Sequence, residues 1–591
     1  MSRPIEDYAL IGDGNTAALV CRDGSIDWLC WPRFDDDACF AALLGTQDDG
    51  CWTLSPAGDI ERRTRRYQED TLVVETDFEL KDGAVRVIDF MPVGDGPSSI
   101  VRIVTGLRGV VAMHSSLRLR FNYGELAPLI ERIDGGMQAR VGPDLIVLRT
   151  SVAIDVVEAT MRASFSVKAN ESVTFAMSYA RAHEAPPGPR DMHTALRDTQ
   201  RFWRDWISKF DDARSEWPQA VRRSLLTLKA LIYRRTGAIV AAPTTSLPEA
   251  PGGELNWDYR YAWLRDTSFA MVALLNAGYH DEAAAWRSWL LRAIGTAPER
   301  SRIMYRVDGG RHLREWTVDW LEGHRYATPV RVGNEAAHQH QLDVLGEVID
   351  CLDVARRGGL KPADHEDLIE TRIVEHLEQV WRLPGAGIWE SRGEPRHYTY
   401  SRVMVWVALD RFVKHRMTER GLSPLVERLA SLRERIRDEV LREGWNEGLG
   451  SFTQYYGSEE LDASLLLMPL VGFLTADHPH MASTIERIRT DLSEEGLIRR
   501  HQKDPCGPDE GTFLACSCWM ADCLNLQGRI EEARQQFERV LATANDLGLL
   551  SEQYNAQRGE LAGNFPQALS HLAVINTALG LSGPTLQRGG G

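Results

Sequence analysis

The chain has 591 residues, of which 43% are hydrophobic and 26% are charged, and both fractions are typical of globular proteins. This length exceeds what one hydrophobic core usually holds, so we expect two domains or one very large one. With 84 acidic and 68 basic residues the net charge is −16, and no run of basic residues could neutralise nucleic-acid phosphates. The composition therefore argues against nucleic acid as a partner and is compatible with a neutral ligand.

The amino terminus lacks a basic start followed by an apolar run, and no stretch of the chain is apolar enough to span a bilayer. We therefore expect a cytoplasmic protein that makes no membrane contact. Cys516, Cys518 and Cys523 lie in the apolar segment CSCWMADCL, which is typical of a buried helix. Buried free thiols are expected there rather than a metal site, and neither a metal nor a cofactor is expected elsewhere.

Residues 1–185 are rich in short alternating or β-branched runs, such as TLVVETDFEL from Thr71, SIVRIVTGL from Ser99 and SLRLRFNY from Ser116. Asp-Gly pairs separate many of these runs, and the combination predicts an N-terminal antiparallel β-sandwich. The glycine-containing segment Gly12–Ala17 resembles a dinucleotide-binding loop. Because the next residues predict a strand, an Asp-Gly turn and another strand, a β-hairpin is the better interpretation.

The proline-rich segment Glu184–Arg190 marks a domain boundary, and a linker helix is expected within residues 186–214. Residues 215–584 contain twelve segments with helical periodicity, separated by loops rich in Gly, Pro and Trp. This alternation predicts an (α/α)6 barrel whose loops carry the binding residues. Residues 585–591, ending in three glycines, are expected to be a disordered tail.

The segment Asn256–Asp266, NWDYRYAWLRD, combines aromatic rings with arginine and aspartate. Aromatic faces stack on pyranose rings, and paired donors and acceptors bind sugar hydroxyls. A half-buried helix start with a surface ion pair would give the same pattern. The segment alone therefore leaves both interpretations open.

Hydrolysis of a glycosidic bond needs an acid for the leaving oxygen and a second carboxylate that activates water or attacks directly. Two glutamates lie in aromatic loops between predicted helices. Glu390 follows Trp389, and an adjacent indole can desolvate a carboxyl group and so keep it protonated for general-acid chemistry. Glu552 lies two residues before Tyr554. A solvated loop glutamate is the competing interpretation for each.

Six segments occur together and in one order, and they resemble the signature segments of glycoside hydrolase family 15, the glucoamylase-type exo-α-glucosidases that include bacterial trehalases. They are TGAIVAAPTTS from Thr236, NWDYRYAWLRD from Asn256, GIWESRG from Gly387, LDASLLLMPLVGFL from Leu461, DEGTFLACSCW from Asp509 and SEQYN from Ser551. The opening residues resemble the N-terminal β-domain of bacterial members. The resemblance implies a β-sandwich followed by an (α/α)6 barrel.

The resemblance implies that Glu390 is the general acid and Glu552 the general base of a single-step inverting hydrolysis. Arg265 and Asp266 match the pair that holds hydroxyls of the terminal glucose. The other residues matched to substrate binding are Tyr259, Trp263 and Trp389, with Arg500 and Glu510 in a loop that departs from the family's Arg-Tyr-rich form.

Several alternatives stay open at this stage. The substrate could be trehalose, an isomalto-oligosaccharide or an α-glucan, and the missing secretion signal favours a small internal sugar such as trehalose. An inverting sugar phosphorylase is the alternative of another class, although it needs no base at position 552. Arg331 and Asn334 could also reach the sugar. The oligomeric state is open, a homo-oligomer included.

Overall fold

A computed structural model describes residues 2–502 and 510–589, with an N-terminal antiparallel sheet domain followed by a helical domain. The N-terminal strands are β1 (Tyr8–Gly12), β2 (Ala17–Cys21), β3 (Ser25–Cys30), β4 (Ala38–Phe40), β5 (Cys51–Pro56), β6 (Arg62–Tyr67), β7 (Val74–Leu80), β8 (Gly83–Phe90), β9 (Ser99–Arg118), β10 (Leu129–Ile133), β11 (Gly136–Val141), β12 (Asp144–Thr150), β13 (Asp155–Val157), β14 (Thr160–Lys168) and β15 (Ser172–Arg181). The hairpin expected at Gly12–Ala17 is confirmed, since β1 pairs antiparallel with β2.

The long strand β9 belongs to two sheets. Its first half pairs with β8 and β15, while the part from Val110 onward pairs with β14. Gly109, with φ of +65°, lies at the change of sheet, in a conformation that a residue with a side chain rarely adopts. The run that begins at Ser99 and the first three residues of the run from Ser116 therefore form one continuous strand.

The two sheets pack face to face. Trp52 of β5 contacts Phe175 of β15 edge-on, with ring centroids 6.3 Å apart. The buried Arg102 of β9 pairs with Asp89 at 2.7 Å and donates to the Trp52 carbonyl at 2.8 Å. A buried charge that is paired and hydrogen-bonded in this way fixes how the sheets meet.

The helices are α1 (Met192–Ile207), α2 (Pro218–Leu231), α3 (Thr267–Asn276), α4 (His280–Ile294), α5 (Leu342–Arg357), α6 (Glu366–Val380), α7 (Thr399–Arg420), α8 (Pro424–Glu443), α9 (Leu467–Leu470), α10 (Pro479–Asp491), α11 (Leu514–Leu526), α12 (Ile530–Leu541) and α13 (Ala568–Ser582). Short strands in the loops are β16 (Ala262–Trp263), β17 (Met304–Tyr305), β18 (Trp316–Thr317), β19 (Arg331–Val332), β20 (Trp445–Asn446), β21 (Ser451–Phe452), β22 (Ser493–Glu494), β23 (Leu497–Ile498), β24 (Thr512–Phe513), β25 (Gln553–Asn555) and β26 (Glu560–Ala562).

The helices of the second domain form an inner and an outer layer. In the inner layer α3 packs on α5, α5 on α7, α11 on α13, and α13 returns to α3. The short α9 and the 3-10 turn before it, Ala463–Leu466, fill the step between α7 and α11. Helices α3, α11 and α13 are buried along nearly their whole length, whereas α12 is amphipathic, as an outer helix must be. This closed pairing is consistent with the expected (α/α)6 barrel.

The prediction of a disordered tail is wrong for residues 585–589. Arg588 is 5% exposed and binds Glu347 at 2.6 Å and Asp350 at 2.7 Å inside the helical domain. The tail thus supplies a cation to two buried carboxylates, of which Asp350 also pairs with Arg411 at 3.1 Å. Residues 590 and 591 lie outside the described part of the chain.

Cys516, Cys518 and Cys523 are buried in α11 as free thiols, as expected from the apolar segment. Burial raises the pKa of all three thiols well above the ordinary value, so they stay protonated. Across residues 2–502 and 510–589, every helix is too short or too polar to span a bilayer.

Candidate active site

A cavity of about 430 Å³ opens among loops of the helical domain, within the size range of small-molecule sites. It is lined by Glu249, Leu255, Trp257, Tyr259, Arg265, Asn334, Ala336, Trp389, Glu390, Ser391, Arg392, Arg499, Arg500, His501, Gln502, Glu510, Gly511, Phe513 and Glu552. The two predicted catalytic glutamates therefore share one cavity, although 162 positions separate them in the chain.

The aromatic segment Asn256–Asp266 has two functions in the fold. Asp258 and Arg260 are fully buried, pair with each other at 2.6 Å, and Arg260 donates to the Asp36 carbonyl of the β-domain at 2.8 Å. This pair anchors the segment to the β-domain. Tyr259 and Arg265 instead line the cavity.

Glu390 is held by two donors from that segment. One oxygen, Oε1, accepts from the Trp263 indole at 2.6 Å and from Arg265 Nη1 at 2.9 Å. Arg265 also donates to the Ile388 carbonyl at 2.8 Å, so it fixes both the carboxyl group and its backbone. Glu390 has φ of +58°, a left-handed conformation that is uncommon for a residue with a side chain and recurs at functional sites.

The indole that contacts Glu390 is that of Trp263, not of its neighbour Trp389. Trp389 lines the cavity but donates its N–H to Asp462 at 2.8 Å. Its ring packs against Phe513 and Trp519, with centroids 5.3 and 6.2 Å away. A ring held on one face and by its N–H is a rigid wall for a sugar.

Glu552 begins the turn into β25 and is fully buried. Its Oε1 accepts a hydrogen bond from the Tyr259 hydroxyl at 2.6 Å, whereas Oε2 has no partner among the described residues. Burial raises the pKa of Glu552 to about 7, against the opposing effects of Arg500 and of the Tyr259 hydrogen bond. A base whose pKa is near the working pH suits general-base chemistry.

The space for the second oxygen of Glu552 exists because residue 563 is glycine. A Cβ atom on Gly563 would lie 2.5 Å from Glu552 Oε2 and 2.8 Å from its Cβ. Gly563 has φ of +72° and donates to the Pro248 carbonyl at 2.8 Å. The turn between β26 and α13 therefore leaves room for the carboxylate.

Behind Glu552 lies a network in which one arginine serves two further glutamates. Arg500 binds Glu249 and Glu510, and the Gln553 amide donates to Glu249 at 2.8 Å and to Glu510 at 3.1 Å. Burial raises the pKa of Glu249 well above its usual range. Although burial also acts on Glu510, the nearby Arg500 and His501 lower the pKa of that carboxyl. The surroundings thus favour the ionised form more for Glu510 than for Glu249.

The outer part of the cavity has a second aromatic wall. The guanidinium of Arg331 lies 4.4 Å and that of Arg392 4.0 Å from the ring centre of Trp257. Glu315 orients both arginines, with contacts of 2.5 Å to Arg392 and 3.5 Å to Arg331. Cations on a tryptophan face strengthen the wall and place donors beside a bound sugar.

The structure brings most of the predicted site residues to the cavity. Those that line it are Tyr259, Arg265, Trp389, Glu390, Arg500, Glu510 and Glu552, together with Asn334. Trp263 and Asp266 are buried and are not among the lining residues; Asp266 accepts from Arg265 Nε at 3.3 Å. Arg331 does not line the cavity itself, and its guanidinium contacts the ring of Trp257, which does.

Sequence reasoning missed Glu249, Trp257 and Arg392. Trp257 stands inside the aromatic segment and could have been found there. Glu249 lies in the proline-rich loop SLPEAPGG, which offers no local signal, because only the fold places it beside Arg500. Arg392 follows Glu390 by two residues and looks like a solvated loop cation in the sequence.

Comparison with known proteins agrees with the fold. The sequence profile described as glycosyl hydrolases family 15 matches residues 218–579, and that described as trehalase-like, N-terminal matches residues 1–186. A trehalase of Thermoplasma volcanium is 35% identical over 99% of this chain and 94% of its own length. A trehalase of Mycobacterium tuberculosis is 34% identical over 98% of this chain and 89% of its own.

Among solved structures, a bacterial glucoamylase in complex with acarbose superposes with a TM-score of 0.75 over 99% of this chain and 95% of its own. The sequence identity is 11%, so this match speaks for the fold. Together with the profile match over most of the helical domain and the full-length relatives, it shows that the chain is a glycoside hydrolase and belongs to glycosyl hydrolases family 15.

Proposed function

We propose that this glycoside hydrolase is an inverting, exo-acting α-glucosidase and that its substrate is trehalose. The observation that carries the proposal is that Glu390 and Glu552 line one cavity in different environments. Two carboxyl groups with different surroundings can take the two opposite proton-transfer roles.

In this mechanism Glu390 protonates the glycosidic oxygen. Its Oε1 is occupied by Trp263 and Arg265, which leaves Oε2 to carry the proton toward the substrate. Arg265, which Asp266 holds in place, also donates hydrogen bonds from its remaining N–H groups to sugar hydroxyls. As the bond breaks, the glutamate becomes an anion that Arg265 already stabilises.

Glu552 acts as the general base. Held by the Tyr259 hydroxyl, its carboxylate accepts a proton from the attacking water, which adds to the anomeric carbon opposite the leaving group. Single displacement inverts the anomeric configuration. A phosphorylase would need no such base, because phosphate attacks directly.

The cavity supports a small substrate. Its volume of about 430 Å³ is near the lower end of the range for ligand pockets, and we assign Trp257, Arg392 and His501, which line it, to the second sugar. Full-length relatives that carry the name trehalase support trehalose over a glucan.

The test is a substrate panel with two variants. Purified protein is incubated with trehalose, isomaltose, maltose and soluble starch, and glucose release is followed with and without added phosphate. We expect trehalose to be cleaved fastest, with no glucose 1-phosphate. Glu390→Gln and Glu552→Gln should each lose roughly a thousandfold or more in kcat while keeping the thermal unfolding midpoint. Full activity in either variant, or accumulation of glucose 1-phosphate, would refute the assignment.

A further inference from the structure

A second cavity, of about 700 Å³, opens on the surface beside the active site. We call it the basic cleft, and its walls include Arg300, Arg302, Arg311, Arg314, Glu335 and Gln339. None of the residues matched to the family's catalytic or substrate-binding residues lines it. Its four arginines face only two glutamates, Glu299 and Glu335, which gives a net charge of +2 on a protein whose total is −16.

The arginines of the basic cleft lack anionic partners. Within the part of the chain that the structure describes, no salt bridge or hydrogen bond joins a protein group to the side chains of Arg300, Arg302, Arg311 and Arg314. Arg311 does contact the ring of Tyr305, with its guanidinium 5.9 Å from the ring centre. In the active site, by contrast, Arg265, Arg392 and Arg500 each bind a carboxylate. Four arginines around one cavity that have no carboxylate partner in the described ranges can bind an anion from outside.

One of these arginines is partly buried with an unsatisfied donor. Arg302 Nε is inaccessible to solvent and has no hydrogen-bond partner among the described residues. A buried donor without a partner costs free energy, on the order of 1–3 kcal/mol, unless something else satisfies it. The cleft is therefore more than a set of solvated surface charges.

The basic cleft and the active site share a wall. The 3-10 turn Glu335–His338 and its flanking residues separate them, with Asn334 and Ala336 facing the active site and Glu335 and Gln339 facing the cleft. The Gln339 amide donates to the Glu390 carbonyl at 3.0 Å and to the Ser391 carbonyl at 3.1 Å. An occupant of the cleft would contact the turn that supports the predicted general acid.

We infer that the basic cleft binds the phosphate group of a small molecule at a site separate from the active site. Arginine forks match phosphate oxygens with paired hydrogen bonds, and a dianion neutralises the net charge of the cleft. Its volume accepts either free phosphate or a sugar phosphate. The inference does not depend on which glucoside the enzyme cleaves.

Titration calorimetry tests this with inorganic phosphate as the probe, at constant ionic strength and with chloride as the background anion. The parent protein should bind phosphate saturably, and Arg302→Gln combined with Arg314→Gln should weaken the affinity by roughly tenfold or more. Arg435→Gln is the matched control, since Arg435 is an exposed arginine on α8. Its affinity should equal that of the parent.

If the variant with Arg302→Gln does not fold, a second double variant replaces it. This variant combines Arg300→Gln with Arg314→Gln, and both of these positions are exposed. A parallel titration with glucose 6-phosphate distinguishes the two ligands. If glucose 6-phosphate binds more tightly than inorganic phosphate, and the cleft variants lose this binding, the ligand is a sugar phosphate. If the two affinities are equal, the ligand is free phosphate. Absence of saturable phosphate binding to the parent would overturn the inference. So would unchanged affinity in both folded double variants, because phosphate would then bind elsewhere.

Discussion

The Tyr259 hydroxyl donates a hydrogen bond of 2.6 Å to Oε1 of Glu552, and both side chains are buried in the cavity wall. This bond stabilises the charged carboxylate against the burial that raises the pKa of Glu552 to about 7. A tyrosine from the aromatic segment thus lowers the pKa of a carboxyl group that is 293 residues away in the chain.

Replacing Tyr259 with Phe should move the acidic limb of the activity profile to higher pH. The base works only when ionised, so activity falls as the pH drops through the pKa of Glu552. Loss of a hydrogen bond to the charged form raises that pKa, by roughly one unit. The pH dependence of kcat/KM measures the shift. Tyr554→Phe, which removes a hydroxyl two residues from Glu552, should keep the parent profile, and a parent-like profile in Tyr259→Phe would contradict the role.

The charges around Arg500 predict different effects for two similar substitutions. Burial favours the neutral form of Glu249, so Glu249→Gln should preserve its charge and shape and change kcat/KM by less than about threefold. Glu510 is the ionised partner, so Glu510→Gln leaves Arg500 without its anion and should cost roughly tenfold or more. Steady-state kinetics on both variants provide the comparison. Equal losses would show that Glu249 is charged.

Gly563→Ala should reduce activity far more than its effect on stability explains. A methyl group there collides with Glu552, and displacement of the base by even an ångström can cost about a hundredfold in kcat/KM. Gly559→Ala is the matched control: Gly559 has φ of +68°, and its nearest non-neighbouring atom is 3.7 Å away. Gly559→Ala should lose about 1–2 kcal/mol of unfolding free energy, since alanine disfavours this conformation, and Gly563→Ala should lose more because of the collision. Similar kinetics in the two would argue against the steric role.

Arg588→Ala should destabilise the protein, although Arg588 lies three residues from the end of the chain. The substitution leaves the buried Glu347 without its cation and Asp350 with Arg411 alone, which should cost about 3 kcal/mol or more. Urea unfolding of Arg588→Ala and of Gln587→Ala, whose side chain is exposed, measures the difference. Equal midpoints for the two variants would mean that the tail contributes nothing to the fold.

The sequence predicts those parts of the fold that depend on local pattern. Alternating runs predict the antiparallel sheets, helical periodicity predicts the second domain, and ordered motifs locate Glu390 and Glu552. The continuity of β9 was missed because glycines at its centre look like a turn, whereas pairing with strands of two sheets keeps it extended. A glycine-rich end likewise suggests disorder until the buried partners of Arg588 are known.

The organisation of the site could be predicted only in part, because its charges are arranged by long-range contacts. Arg260 and Arg265 look equivalent in the sequence, yet one is buried against the β-domain and the other binds Glu390. The pairing of Glu249 with Arg500 joins residues 251 positions apart. Composition shows which groups are present, and the fold determines which of them meet.

The most direct test of the proposed mechanism is the anomeric form of the glucose released from trehalose, followed by proton NMR in the first minutes of the reaction. Inversion by Glu390 and Glu552 predicts equal initial amounts of β-glucose and α-glucose, because the attacked ring inverts and the leaving ring does not. Release of α-glucose alone would indicate retention and would contradict the account.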